Sequence, residues 1–253
     1  PEKFDMILSK DNDSYFDLPG IWILLGLGVW IGHFFYWGFN QYITQRALGA
    51  KSIQEAQKGV MFAAYLKLLM PIVIVLPGIC AAVLFPYLEK PDQAYPNMMS
   101  LLPSGLLGLT FAALIAAIIS SLASMSNSIS TIFTMDIYRK DQNINDPSLV
   151  NIGRVAGLAG LVVSIVVAPI FLGSLPSAFQ YVQEYMGLFS PVILFVFLSA
   201  IFIRTSNSRS VLIGSFAALI AGVAMKLYVL NVEEALIEPF MHQMMVSFGI
   251  AFI

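Results

Sequence analysis

The chain has 253 residues, 58% of them hydrophobic and 11% charged, with a mean hydropathy of +0.81. Soluble domains carry about 25% charged residues, so a water-soluble globular protein is excluded. The formal net charge of −2 also excludes the basic field that nucleic-acid binding needs. What remains is an integral membrane protein whose solvent is the lipid bilayer.

A membrane-crossing helix needs about 20 apolar residues, and runs of that kind lie near 18–41, 58–86, 104–137, 148–172, 176–203, 209–229 and from 238 to the end. The expected fold is all-α, with about seven transmembrane helices. The runs are continuous rather than alternating and contain Gly, Ala and Pro, which argues against a β-barrel. Cys80 is the single cysteine, so no intrachain disulfide forms. The chain opens without a methionine or a signal-like segment and stops inside an apolar run, and it is therefore expected to be an internal piece of a longer protein.

Charge alternates between the connections. Arg46, Lys51 and Lys58 follow the first span, Arg139, Lys140 and Arg154 surround the connection after the third, and Arg204 and Arg209 follow the fifth. The intervening segments at 87–96, 172–176 and 231–239 are acidic or nearly neutral. Under the positive-inside rule the basic loops are cytoplasmic. The amino terminus, with Asp5, Asp11, Asp13 and Asp17, then lies outside, and all seven spans fit one alternating topology.

The first span carries "WIGHFFYWGFNQYITQR". Gly26, Gly28, Gly32 and Gly38, with His33, Asn40 and Gln41, predict a helix that is broken or closely packed near mid-membrane. Broken helices expose backbone groups that transporters use for ions and substrates. Phe34 and Phe35 read as packing or as an interfacial belt. Tyr36 and Trp37 lie deeper than a belt requires, which favours a surface on which a ligand stacks.

Intramembrane charge is costly and normally faces a cavity or a partner. His33, Lys67 and Glu184 stand out in this respect, with Asp136 at a cytoplasmic end. Lys67 lies roughly two helical turns or more from Lys58, too deep for easy snorkelling, which favours a functional lysine. In "SAFQYVQEYMGLFSP", Gln180 and Glu184 share a helix face and Gln183 is offset. Amides there fit sugar hydroxyls and helix-to-helix contacts equally well.

Ala116–Arg139, "AAIISSLASMSNSISTIFTMDIYR", puts nine Ser, Thr and Asn residues into an apolar span. Ser120, Ser124, Asn127, Ser128 and Thr131 form one stripe, most of which is explained by bonding to i−4 carbonyls and by close helix crossing. Ala117, Ser120 and Ser121, at i, i+3 and i+4, gather one carbonyl and two hydroxyls. A hard monovalent cation takes oxygen ligands, and three are too few, so further ligands would come from another helix.

Three blocks, "YWGFNQYITQRALGAKSIQEAQKGVMFAAYLKLLMP", "AAIISSLASMSNSISTIFTMDIYR" and "FQYVQEYMGLFSP", resemble the sodium:solute symporter family, in particular its bacterial sodium/galactose (sodium/glucose) cotransporter branch. The resemblance implies an inverted-repeat, LeuT-like transporter architecture. It makes 1–17 an extracellular loop, 18–203 the second five-helix repeat, and 204–253 two peripheral helices, the last truncated. It implies a sodium site at Ala117, through its carbonyl, and at Ser120 and Ser121, through their hydroxyls. It also implies sugar contacts at Lys67, Gln183 and His33, and an aromatic gate at Tyr36 with Trp37 beside it. Residues of a first repeat complete both sites.

The implied activity is sodium-coupled sugar uptake by alternating access in a plasma membrane, that of a bacterial inner membrane. Sodium is the coupling ion, and no cofactor is implied. His33 departs from the asparagine of galactose-transporting relatives, which leaves sugar binding intact but opens the choice of sugar and adds a titratable group. Another solute, such as an inositol, a sialic acid or an amino acid, is the alternative within the family. An intramembrane hydrolase using a serine with Lys67 or His33 is the alternative from another class, and it lacks a G-x-S-x-G nucleophile motif.

Overall fold

The computed structural model describes residues 28–139, 147–172, 178–231 and 240–253. Gly26 and the acidic amino-terminal segment used for the orientation reading lie outside these residues, and the first and last expected spans are seen only from Gly28 and Phe240. Among the described residues the regular elements are all helical, in agreement with the all-α expectation. Five helical stretches are long and apolar enough to cross a bilayer: Ile53–Leu84, Ser104–Tyr138, Ser148–Ile170, Tyr181–Phe202 and Ser208–Val229. They correspond to the second through sixth expected spans. Two compact units divide the chain, one of Pro1–Asn40 with Phe179–Ile253 and the other of Gln41–Ala178.

In the Gln41–Ala178 unit, helix α2 (Gln41–Leu48) is followed by α3 (Ile53–Leu68) and α4 (Met70–Leu84). The α3 start lies five residues before the expected span at 58. Its cause is a capping sequence, Ser52 followed three residues later by Glu55, in which Ser52 Oγ accepts the Glu55 N–H at 3.2 Å. The α3–α4 junction falls at Leu69 because Pro71 has no N–H to offer the Lys67 carbonyl and its ring crowds that oxygen. Leu69 N–H instead donates to Leu66 O at 3.1 Å, tightening the last turn.

After a short 3₁₀ turn at Pro91–Gln93 and α5 (Ala94–Ser100) comes α6 (Ser104–Ile132), continued by a π-helical turn at Phe133–Tyr138. At 1.5 Å per residue α6 and its π turn extend about 52 Å. A hydrocarbon core is about 30 Å thick, so the last turns, with Asp136, reach beyond it.

Helix α7 (Ser148–Leu172) packs on α6 through a glycine face. A Cβ on Gly153 would lie 2.6 Å from Ser130 Oγ, one on Gly157 2.8 Å from Ser126 Oγ, and one on Gly160 3.0 Å from Ile129 Cδ1. Small residues let two backbones approach where lipid supplies no hydrophobic drive for association. Ser126, Ser130 and Thr134 thus face α7, and their role is packing.

In the other unit, α1 (Gly28–Phe34) runs into a π-helical turn at Phe35–Phe39 and ends at Asn40, which is extended (φ −79°, ψ 117°). The interruption expected in this segment is therefore present. Helices α8 (Ala178–Phe202), α9 (Ser208–Asn231) and α10 (Phe240–Ala251) complete the unit. Asn207 starts α9, its Oδ1 accepting the Ser210 N–H at 2.9 Å. Ile31 and Phe35 are buried with Leu194 of α8 and Met244 of α10. Gly214 sits where any Cβ would overlap the Ala251 carbonyl oxygen, so α9 and α10 approach backbone to backbone. Gln243 and Ser247 of α10 are buried, as a helix packed on protein rather than lipid requires.

Candidate functional site

The candidate cation residues Ala117, Ser120 and Ser121 lie on α6 and are all exposed. Ser120 is about 24 Å along α6 from Ser104 at 1.5 Å per residue, within the about 30 Å hydrocarbon core for a helix that starts at one face of it. Their neighbours on the same helix are otherwise engaged. Ser124 Oγ donates to Ser120 O at 3.0 Å, and Thr131 Oγ1 donates to Asn127 O at 2.8 Å, the i−4 bonding expected of hydroxyls in apolar helices.

Helix α2 engages the same stripe. Gln45 Nε2 donates to Ser124 O at 3.0 Å and to Tyr42 O at 3.2 Å, while Gln45 Oε1 accepts from Asn127 Nδ2 at 2.9 Å. The Arg46 guanidinium donates to Ser124 Oγ. The hydroxyl-rich run from α6 into its π turn therefore includes an α2-facing set at Ser124 and Asn127, an α7-facing set at Ser126, Ser130 and Thr134, and the exposed group at 117–121. Serine occurs in all three sets, so residue type does not separate them and the sequence alone offers only spacing.

Of the candidate sugar contacts, His33, Tyr36, Trp37 and Gln183 belong to the unit that contains α1 and α8, and Lys67 to the unit of α2–α7. His33 lies at the end of α1 and is exposed. Tyr36 and Trp37 sit on the π turn, edge to face with ring centroids 5.2 Å apart, and Trp37 is 44% exposed. The neighbouring phenylalanines are packing residues in two different ways: Phe35 is buried in the core, and Phe34 is exposed and leans on Trp30 at 6.0 Å. Gln183 is half-buried on α8. Lys67 is exposed in the last turn of α3, two residues before the Leu69 junction, so the expected intramembrane lysine adjoins a tightened turn within its own helical stretch. The side chain of Gln180 lies outside the described residues.

Glu184 has a partner that sequence reasoning overlooked. Lys226 of α9 donates to Glu184 Oε2, the two side chains being 21% and 23% exposed, and the Lys226 ammonium lies 5.6 Å from the Tyr185 ring centroid. The signal was present: "IAGVAMKLYVL" places one lysine inside an apolar span, as "AAYLKLLMP" does.

The sodium:solute symporter family model matches residues 2–222. The chain belongs to the sodium:solute symporter family. It is 46% identical over 97% of its length to a sodium/glucose cotransporter of Vibrio parahaemolyticus, of which it covers 47%. It is 35% identical over 88% of its length to sodium/myo-inositol cotransporter 2 of Rattus norvegicus, covering 35% of that protein. An uncharacterized symporter, YidK, of Escherichia coli (strain K12) is 38% identical over 67% of the chain, with 30% of the relative covered. The chain thus spans about half or less of the curated relatives it matches. The symporter match extends over α1–α8 and into α9, so both candidate sites lie inside it and α10 lies beyond it.

Proposed function

We propose that this chain supplies the second repeat of a plasma-membrane symporter that couples inward sodium flow to sugar uptake by alternating access. The observation that carries the reading is the division of labour on α6. Ser124 and Asn127 are engaged by α2, and Ser126, Ser130 and Thr134 pack on glycines, while Ala117, Ser120 and Ser121 lie outside both sets of contacts in the apolar part of α6. Sodium is a hard cation that takes such oxygens, and first-repeat residues supply its remaining ligands. The 46% identity to a sodium/glucose cotransporter supports sugar as the solute.

In this mechanism sodium at Ala117, Ser120 and Ser121 stabilises the outward-open form. Sugar hydroxyls then bond to Lys67 and Gln183, with His33 as a further donor and acceptor, and the ring stacks on Tyr36 beside Trp37. Reorientation opens both sites to the cytoplasm. One charge crossing 100 mV contributes about 2.3 kcal/mol, which bounds the gradient that one coupled sodium sustains.

A second reading, myo-inositol as the solute, is supported by the 35% identity to an inositol cotransporter. The hydrolase alternative lacks a strained nucleophile turn among the described residues of α6, where the serines lie along one regular helix.

The test is uptake of labelled galactose by the full-length protein in proteoliposomes, with and without a sodium gradient. Sodium-dependent uptake that Ser120→Ala abolishes, with sodium-independent binding kept, is the expected outcome. If saturating unlabelled galactose fails to compete while myo-inositol does, the second reading replaces the first.

A further inference from the structure

We propose that Gln45 and Asn127 are positioning residues that hold the cation-binding segment of α6 in its productive geometry. The inference rests on the sodium site proposed above.

Both polar ends of the Gln45 amide are used. Its nitrogen reaches the Ser124 carbonyl at 3.0 Å and its oxygen takes the Asn127 amide at 2.9 Å, so one side chain on α2 bridges two positions three residues apart on α6. An amide with donor and acceptor both engaged has one orientation only. From the same helix, Arg46 donates to the Ser124 hydroxyl, which leaves that hydroxyl's own proton for the Ser120 carbonyl at 3.0 Å. The bonds that reach the main chain of Ser120, one of the two serines offered to the cation, run from Arg46 through the Ser124 hydroxyl, while Gln45 fixes the Ser124 carbonyl and Asn127 beside them.

Two consequences separate this from general packing. First, the Ser120 carbonyl is already bonded by Ser124, which points to the Ser120 hydroxyl as the group free for sodium. Second, α2 grips α6 through directional bonds on one face, whereas α7 meets it through glycines and close van der Waals contact on another. Directional bonds fix rotation and height of the segment. A cation held by few oxygens is sensitive to displacements of that kind, since tight geometry at the ligands depends on the groups that orient them.

The experiment compares Gln45→Leu and Asn127→Ala with the unmodified full-length protein in proteoliposomes. It reads the sodium concentration for half-maximal sugar uptake and, separately, the sugar KM at saturating sodium. Neither constant depends on how much protein folds. Loss of one or two neutral hydrogen bonds raises the sodium half-saturation about three- to tenfold, with the sugar KM changed less than about twofold. Ser130→Ala, which removes a hydroxyl facing the α7 glycines, leaves the sodium constant unchanged.

The proposal is overturned if both variants leave the sodium half-saturation unmoved, if sugar KM rises in parallel with it, or if Ser130→Ala shifts it equally. Unmodified protein that transports sugar without sodium dependence removes the proposed function and the positioning role with it. A sodium-dependent protein whose variants are unshifted removes the positioning role alone.

Discussion

Replacing Lys226 by methionine leaves Glu184 without its cation inside an apolar span. Removing one partner of a fully buried ion pair costs about 3–5 kcal/mol, and an exposed pair contributes about 1 kcal/mol or less. With side chains 21% and 23% exposed, the Lys226–Glu184 pair lies between these limits, and a loss of about 2 kcal/mol follows. For a domain of this size each kcal/mol moves the melting temperature about 2–4 °C, so Lys226→Met lowers Tm in detergent by about 4–8 °C. Lys226→Arg keeps the charge and its place over Tyr185, and loses less. The decisive measurement is the double-mutant cycle with Glu184→Gln. Because the double variant has no unpaired charge, it recovers part of the single losses, giving a coupling of at least about 1 kcal/mol. Losses that simply add would refute the claim that these two groups compensate each other.

Two further predictions concern packing and substrate. Gly214→Ala pushes a methyl into the Ala251 carbonyl oxygen and the Phe195 ring, and overpacking of this kind costs about 1–3 kcal/mol. Gly78→Ala, with open space around it, is neutral or stabilising, and melting curves of the two variants test the contrast. Lys67→Met removes the proposed sugar contact and raises the sugar KM about tenfold, the scale of one charge-assisted hydrogen bond, while the sodium half-saturation at saturating sugar moves little. An unchanged KM would assign Lys67 to the interface instead.

The membrane class, the middle five spans and the interruption of the first were legible because they rest on composition and on residues with strong local effects. Helix boundaries were less so: hydropathy marked 58 as a start, but the capping pair Ser52 and Glu55 sets it at 53, and caps are polar residues that a hydropathy scan passes over. Spacing correctly grouped the serines of α6 but could not say which face met α2 and which met α7, since that depends on distant glycines and on Gln45. Arg46 was read as a cytoplasmic loop charge, and it also holds Ser124. Lys226 was missed although its signal matched that of Lys67, and Glu184 then had no partner to be paired with. Pairings between helices are decided by tertiary placement, which no local pattern carries.

The π turns at Phe35–Phe39 and Phe133–Tyr138 have a consequence for chain length. An i→i+5 ring, such as Arg139 N–H to Thr134 O at 3.0 Å, holds one residue more than an α-helical ring. Deleting a single residue from 35–39 therefore lets the helix close up into regular α geometry, with better backbone bonds than before. Because the wide turn absorbs the extra residue, the same deletion leaves the flanking turns near their present azimuths and changes only the turn that carries Tyr36 and Trp37. A shorter chain here keeps the helix and alters the aromatic turn, so a one-residue length difference at this point separates helix formation from the setting of Tyr36 and Trp37.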